Sequence, residues 1–272
     1  MRLTFLGVRG SIPSPGPDFV RYGGNTSCIA VSGAADSTPT LALDAGTGLR
    51  SLTGMLGGEA YRGSILISHM HWDHVMGLPF FSAGDKNDAR VDVHVPAQHG
   101  LSGRDLMAQA MSPPAFPITP EGLNGSWSFH AHEPGTFWVQ GFEVTAFDVE
   151  HKGGRAFGYR LARDRVSVAY LPDHAPMAGV SAEALGILEG TDVLIHDAQF
   201  LEPERFIADM YGHATVGDAV ALAERASIGR LVLFHHSPAR VDDAMDRITD
   251  GIESQVPVIV AHEGMVLDLL AP

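Results

Sequence analysis

The chain has 272 residues, 45% of them hydrophobic, enough for a packed core and too many for a disordered chain. Its formal charge of -14 at pH 7, with basic residues scattered rather than clustered, argues against a surface for long nucleic acid, because the average field repels polyanions. The single cysteine, Cys28, excludes an internal disulfide and a thiolate zinc cluster. Any metal must therefore be held by nitrogen and oxygen, and the chain fits a reducing cytoplasm.

The N-terminal "MRLTFLGVRGSIPSPG" has too short an apolar run for a signal peptide, and no stretch approaches the roughly 20 apolar residues of a membrane span. In chain order, "RLTFLG", "TSCIAVS", "TLALDAG", "SILISH" and "VDVHVPA" predict strands, and "AQHGLSGRDLMAQAM" a helix. "SWSFHAH", "FEVTAFDVEH", "FGYRLA" and "VSVAYLPD" predict further strands, "SAEALGILEG" a helix, and "DVLIHDAQF" a strand. The helix "TVGDAVALAERAS", the strand "RLVLFHH", the helix "RVDDAMDRITDGIES" and the strands "VPVIVAHEG" and "MVLDLL" complete the chain, with Glu263-Gly264 as a hairpin turn. Strands outnumber helices throughout and no linker marks a boundary. The expectation is one α/β (α+β) domain over 1–272, a four-layer αββα sandwich of two mixed sheets with helices outside. Two proline- and glycine-rich segments, "RGSIPSPGPDFVRYGGNTS" and "MSPPAFPITPEGLNGS", read as binding loops or surface excursions.

Several apolar runs end in residues able to bind a metal or hold a ligand: Asp44, His69, His151, Asp173 and His235. Ligands gather beyond the carboxyl ends of strands in layered α/β proteins, so these endings can converge on one rim. The stretch "SHMHWDHV" packs His69, His71, Asp73 and His74 into one hexapeptide. His69 and His71 share a face of an extended strand end, while Asp73 and His74 follow where the chain turns. Ligands at both parities suit two adjacent ions better than one tetrahedral ion.

"HMHWDH" resembles the His-x-His-x-Asp-His signature of the metallo-β-lactamase superfamily, and the order Asp44, His69 to His74, His151, Asp173, His235 is similar to its successive motifs. "RYGGNTSC", "LDAGTG", "HKGGRAFGYRL", "YLPD", "GHAT" and "LFHHSP" further resemble the ribonuclease Z-like phosphodiesterase branch. The resemblance implies one ion on His69, His71 and His151, a second on Asp73, His74 and His235, and Asp173 bridging them. It implies that Asp44 orients a ligand histidine, that Asn25 and Thr26 face the site, and that the ions, zinc or manganese, activate a water for attack on phosphorus. Asp73 could also accept that water's proton. By the same resemblance His213 protonates the departing alkoxide with Asp197 as its partner, an aspartate where several relatives carry glutamate. Of the remaining histidines, His236 competes with His235, but adjacent strand residues face opposite ways and only one fits. His94, His99, His130, His132, His174, His196 and His262 read as surface or supporting residues, Cys28 as buried, and Met70 and Trp72 as packing beneath the metals.

These motifs point to a binuclear phosphodiesterase for a small substrate, a cyclic nucleotide or related cyclic phosphate. One alternative is a ribonuclease Z trimming tRNA 3′ ends, disfavoured because "SPPAFPITPEGLNGSW" lacks the lysines and arginines of an RNA-docking arm. Others are a metal-binding sensor without turnover, and a β-lactam or thioester hydrolase. The family resemblance also implies a homodimer.

Overall fold

The computed structural model describes residues 1–33, 37–176 and 179–269. Its apolar runs form strands β1 (Arg2–Gly7), β2 (Cys28–Ser32), β3 (Leu41–Leu43), β4 (Arg62–Leu66), β5 (Arg90–Pro96), β6 (Ser126–His132) and β7 (Gly135–Val139). There follow β8 (Phe142–Val149), β9 (Ala156–Arg163), β10 (Val166–Leu171), β11 (Val193–Asp197), β12 (Leu231–Phe234), β13 (Val258–Val260) and β14 (Val266–Asp268). Among the described residues they make two seven-stranded sheets, ordered β14-β1-β2-β3-β4-β5-β6 and β13-β12-β11-β10-β9-β8-β7. Strands β3 to β6 run parallel, as do β10 to β13, and both sheets are mixed.

The sheets face each other across a core of Phe5, Ile29, Val31 and Leu43 from the first and Phe142, Phe157, Leu161, Val168 and Phe234 from the second. Burial of such side chains contributes about 1.5–3 kcal/mol each. Helices α1 (Leu49–Met55) and α3 (Gly103–Ala110) cover the outer face of the first sheet through Leu49, Leu52, Leu106 and Met107. Between them in sequence lies the four-residue α2 (Trp72–Val75). Helices α4 (Ala182–Leu188) and α6 (Val216–Arg225) cover the second sheet through Leu188, Val220 and Ala223, with α5 (Arg205–Tyr211) leading into α6. Thr215 caps α6 reciprocally with Asp218: the Asp218 N–H donates to Thr215 Oγ1 at 3.2 Å and the Thr215 N–H to Asp218 Oδ2 at 2.9 Å. The expected αββα sandwich is therefore observed.

Two local expectations are corrected. The "RVDDAMDRITDGIES" segment makes only the single turn α7 (Asp242–Met245) and a 3₁₀ turn at Thr249–Gly251. Its carboxylates are drawn outward: Asp242 accepts from the Arg21 N–H, and Asp243 and Asp246 accept from the Arg21 guanidinium. Glu263-Gly264 does form a turn, but β13 and β14 belong to different sheets, so the turn carries the chain across the sandwich rather than closing a hairpin. Leu270, at the end of the last predicted strand, lies outside the described residues.

Candidate metal centre

The parallel strands deliver polar residues at their carboxyl ends: Asp44 after β3, His69 beyond β4, Asp173 beyond β10, Asp197 at the end of β11 and His235 after β12. His151 follows β8, and α2 carries Asp73 and His74. Two separate groups of potential ligands result, His69, His71, His151 and Asp173 in one, and Asp73, His74 and His235 in the other, with a third, Asp173, His213 and His235, overlapping both; the donor atoms of each lie within 4.8 Å of one another.

Asp173 divides between them. Its Oδ2 lies 3.5 Å from His69 Nε2 and 3.3 Å from His151 Nε2, while its Oδ1 lies 3.1 Å from both His74 Nε2 and His235 Nε2. Asp73 Oδ2 stands 3.2 Å from His74 Nε2 and 3.1 Å from His235 Nε2 and accepts the Ser11 N–H at 2.7 Å. His71 Nδ1 is 3.2 Å from His151 Nε2.

The outer nitrogens of two of these rings are already engaged. His74 Nδ1 donates to Asp44 Oδ2 at 2.7 Å and His151 Nδ1 to the Gly212 carbonyl at 2.7 Å, so in each neutral ring the inward Nε2 carries the lone pair. Gly212 ends α5 with φ 79°, a left-handed conformation natural to glycine, and so aims that carbonyl. Asp44 is fully buried and also accepts from the Ser68 N–H at 2.6 Å, Ser68 Oγ at 2.9 Å and the Tyr170 hydroxyl at 2.8 Å. Gly10 is required by close approach, since a Cβ there would stand 2.4 Å from the His235 ring. Ser11, Asp44 and His235 all hold positive φ, at 64°, 58° and 56°, which marks stored backbone strain around the centre.

The donor set fits divalent cations. Burial, reinforced by neighbouring imidazoles, pushes His69 and His151 below the usual histidine range, leaving bare nitrogens at neutral pH. Burial works against the charged form of Asp173 as well, but the surrounding histidines hold its carboxyl well below the ordinary value. At His74 burial is outweighed by Asp73, Asp173 and Asp44, which draw positive charge into the place where a cation would supply it. His69 Nε2, His74 Nε2 and Asp173 Oδ1 are buried without hydrogen-bond partners, as converging ligands would be.

Next to this cluster His213 Nδ1 contacts Asp197 Oδ2 at 2.9 Å, so the aspartate arm reaches its histidine. Asp197 is fully buried and is fixed by the N–H groups of His174, Gln199 and Ala214. Burial opposes the His213 cation, but Asp197 and then Asp173 and Asp73 outweigh it and push the imidazole up to about 9. The helix cap belongs to Thr215, which leaves the His213 ring free to line the site. An open pocket of about 380 Å³ is lined by Ser11, Met70, His71, Trp72, Asp73, Asp173 and His213. A larger groove of about 620 Å³ between α6 and residues 244–253 shares none of them.

A family profile described as the β-lactamase superfamily domain matches residues 42–236, most of the chain and nearly all of these groups. The chain belongs to the β-lactamase superfamily. It is a metal-dependent hydrolase of that superfamily, similar at 25% identity to a ribonuclease Z of Natronomonas pharaonis, with 100% of this chain and 99% of the relative aligned. Among solved structures, human tRNase Z, short form, aligns over 100% of both chains with TM-score 0.66 and 22% identity. A diphosphatase of the PhnP family aligns over 99% of this chain and 98% of its own, with TM-score 0.72 and 19% identity.

Several sequence expectations change at this superfamily site. Asn25 and Thr26 do not face it: Asn25 Nδ2 donates to Glu263 Oε2 at 3.0 Å, and buried Thr26 Oγ1 accepts the Thr47 N–H at 2.9 Å, so both brace the loop behind the centre. Trp72 does not pack beneath the ligands but stands 73% exposed at the pocket rim, because the one-turn α2 rotates it away from Asp73 and His74. Met70 does pack against the core of the first sheet. His236 turns from the centre and donates through Nε2 to the Ala261 carbonyl at 2.9 Å. His94, His130 and His132 lie together on β5 and β6, away from the pocket. Sequence reasoning missed Ser11, Ser68, Tyr170 and the Gly212 carbonyl. Each lay inside a stretch singled out for other residues: Ser11 in the first glycine- and proline-rich loop, Ser68 in "SHMHWDHV", Tyr170 in "YLPD" and Gly212 in "GHAT".

Proposed function

We propose that the chain is a binuclear phosphodiesterase for a small phosphodiester, a cyclic nucleotide or related cyclic phosphate. The carrying observation is the division of Asp173, one oxygen toward His69 and His151 and the other toward His74 and His235. On this reading His69, His71 and His151 hold one ion, Asp73, His74 and His235 the other, and Asp173 bridges. Two divalent ions, zinc or manganese, would polarise the phosphoryl oxygens and bring the pKa of water into the neutral range.

The remaining chemistry falls to the chain. As a water oxygen bonds to phosphorus and the bond to the leaving oxygen breaks, Asp73 takes up the water's proton through the carboxylate oxygen that the ion would leave free. His213 gives its Nε2 proton to the leaving alkoxide, while Asp197 holds the opposite nitrogen and stabilises the imidazolium. Asp197, the largest of the groups that raise the His213 pKa, is outside the proposed ligand set and favours that proton at neutral pH. No lysine or arginine is among the residues lining the pocket, so it suits a monoanionic diester better than a polyanion. Trp72 offers a flat apolar face at the rim, suited to a nucleobase.

Ribonuclease Z activity on tRNA is the second reading, favoured by the name of the Natronomonas relative and opposed by the chain's net charge. A sensor without turnover would not need the His213–Asp197 pair. The proposal takes 1–272 as one cytoplasmic domain and includes a homodimer, checked by light scattering. Among the described residues no helix is long and apolar enough to cross a membrane. The deciding assay supplies manganese or zinc and compares bis(p-nitrophenyl) phosphate, a panel of cyclic nucleotides and a precursor tRNA. Turnover of the small diesters is expected, and rapid cleavage of tRNA with none of them turned over would overturn the choice.

A further inference from the structure

Ser11 holds φ 64°, a left-handed conformation that serine adopts only under strain. The surrounding chain enforces it. The Gly10 N–H donates to the His236 carbonyl at 3.0 Å, the Ser11 N–H to Asp73 at 2.7 Å, and the Ile12 N–H back to the Gly10 carbonyl at 2.7 Å. Behind them the fully buried Arg9 ties the loop down, donating to the carbonyls of Gly23 at 2.7 Å, Arg240 at 2.7 Å and Ser237 at 3.1 Å. Every one of these contacts is made by backbone or by Arg9, and glycine at position 11 would preserve them without strain. What serine adds is its hydroxyl.

That hydroxyl is oriented. Buried Gln199, fixed by its N–H to Asp197 Oδ1 at 3.0 Å, donates through Nε2 to Ser11 Oγ at 2.9 Å. Gln199 thus occupies the acceptor side of the hydroxyl, whose own proton finds no acceptor among the described residues. Ser11 lines the pocket together with Asp73, Asp173 and His213.

We propose that Ser11 is a substrate-binding residue whose hydroxyl, oriented by Gln199, donates to a non-bridging oxygen of the phosphodiester. The inference rests on the phosphodiesterase reading above. It gives the pocket a neutral donor for a phosphoryl oxygen, a charge-assisted hydrogen bond that strengthens as negative charge grows on that oxygen.

The test compares the manganese-loaded wild type with Ser11→Gly, which keeps the N–H to Asp73 and suits the positive φ. Substrates are methyl p-nitrophenyl phosphate and the two separated enantiomers of its phosphorothioate, Rp and Sp, in which sulfur replaces one or the other non-bridging oxygen. Loss of one charge-assisted hydrogen bond should lower kcat/KM for the oxygen ester about 10- to 100-fold, with thermal midpoint and metal content kept. The ratio of rates for the two enantiomers should shift at least several-fold, because sulfur is a poor acceptor only where the hydroxyl donates. General damage to the site would slow both enantiomers alike. An unchanged ratio, or kcat/KM within twofold of wild type, overturns the proposal for Ser11 while leaving the phosphodiesterase reading intact. A wild type that cleaves no diester removes both.

Discussion

Asp44→Asn isolates the support of one proposed ligand. Asparagine is nearly isosteric and tolerates the positive φ of 58° at this position, so the backbone is preserved. The carboxylate now accepts four hydrogen bonds, from His74 Nδ1 at 2.7 Å, Tyr170 at 2.8 Å, Ser68 Oγ at 2.9 Å and the Ser68 N–H at 2.6 Å. An amide has one acceptor oxygen and an NH₂ group, so at least one of these donors would meet another donor. With its carbonyl kept on the Ser68 N–H, the NH₂ faces His74, which must then move its proton to Nε2. That is the nitrogen facing Asp73 and Asp173, and a protonated Nε2 cannot ligate. Metal affinity should therefore fall about 10- to 100-fold, as for other residues that orient ligands, equivalent to roughly 1.4–2.7 kcal/mol. The metal-free protein should lose a further 3–5 kcal/mol or so, the cost of breaking a buried charged network. Chelator competition reads the first quantity and urea denaturation of the metal-free protein the second. Tyr170→Phe is the control, removing one donor without touching His74 and costing about 1 kcal/mol with affinity unchanged. An Asp44→Asn protein that binds both ions with wild-type affinity would refute the orienting role.

His213→Gln should slow cleavage of alkyl phosphodiesters about 10²- to 10⁴-fold and p-nitrophenyl esters much less, since p-nitrophenolate needs no acid; equal losses in steady-state assays would exclude the acid role. Trp72→Ala should raise KM for nucleotide diesters roughly 5- to 100-fold through lost stacking, with no change in thermal midpoint, because the ring is 73% exposed. The third prediction concerns pH. Burial and then His132 lower the His94 pKa to about 4, so between that value and the ordinary 6.5 the unfolded chain binds more protons than the folded one. Stability therefore falls as pH drops from about 6.5 toward 4, by up to roughly 3 kcal/mol from this group. His94→Phe, whose ring can keep the stacking on Phe137 at 5.7 Å, should flatten that acid slope in urea denaturation at pH 5 and 7.

The centre was legible wherever apolar runs stop at polar residues, because a strand body fixes the direction in which its last residue enters the rim. Asp44, His69, Asp173 and His235 follow that rule; strand parity allows only one of His235 and His236 at the centre, and the resemblance of "LFHHSP" selects His235. Partners supplied by the facing sheet were not legible. Tyr170 reaches Asp44 from β10 across the core, and no local pattern announces it. Asn25 failed for the same reason, since Glu263 reaches it from the crossing turn after β13. Trp72 failed because a single helical turn separates residues that share a sequence motif. The long helix expected near the C-terminus yielded to ionic contacts with Arg21, where tertiary interactions override local propensity.

The two sheets supply the proposed ligands jointly. His69, His71, Asp73 and His74 hang from the first sheet, while His151, Asp173 and His235 hang from the second. An ion seated among them works as a clasp on one end of the sandwich, and its occupancy adds about 2.7 kcal/mol to folding stability at a free concentration one hundred times its dissociation constant. Withdrawal of metal then does more than silence hydrolysis. On the proposed ligand set it would also loosen the grip of one sheet on the other, so that metal supply would govern the lifetime of the molecule along with its activity.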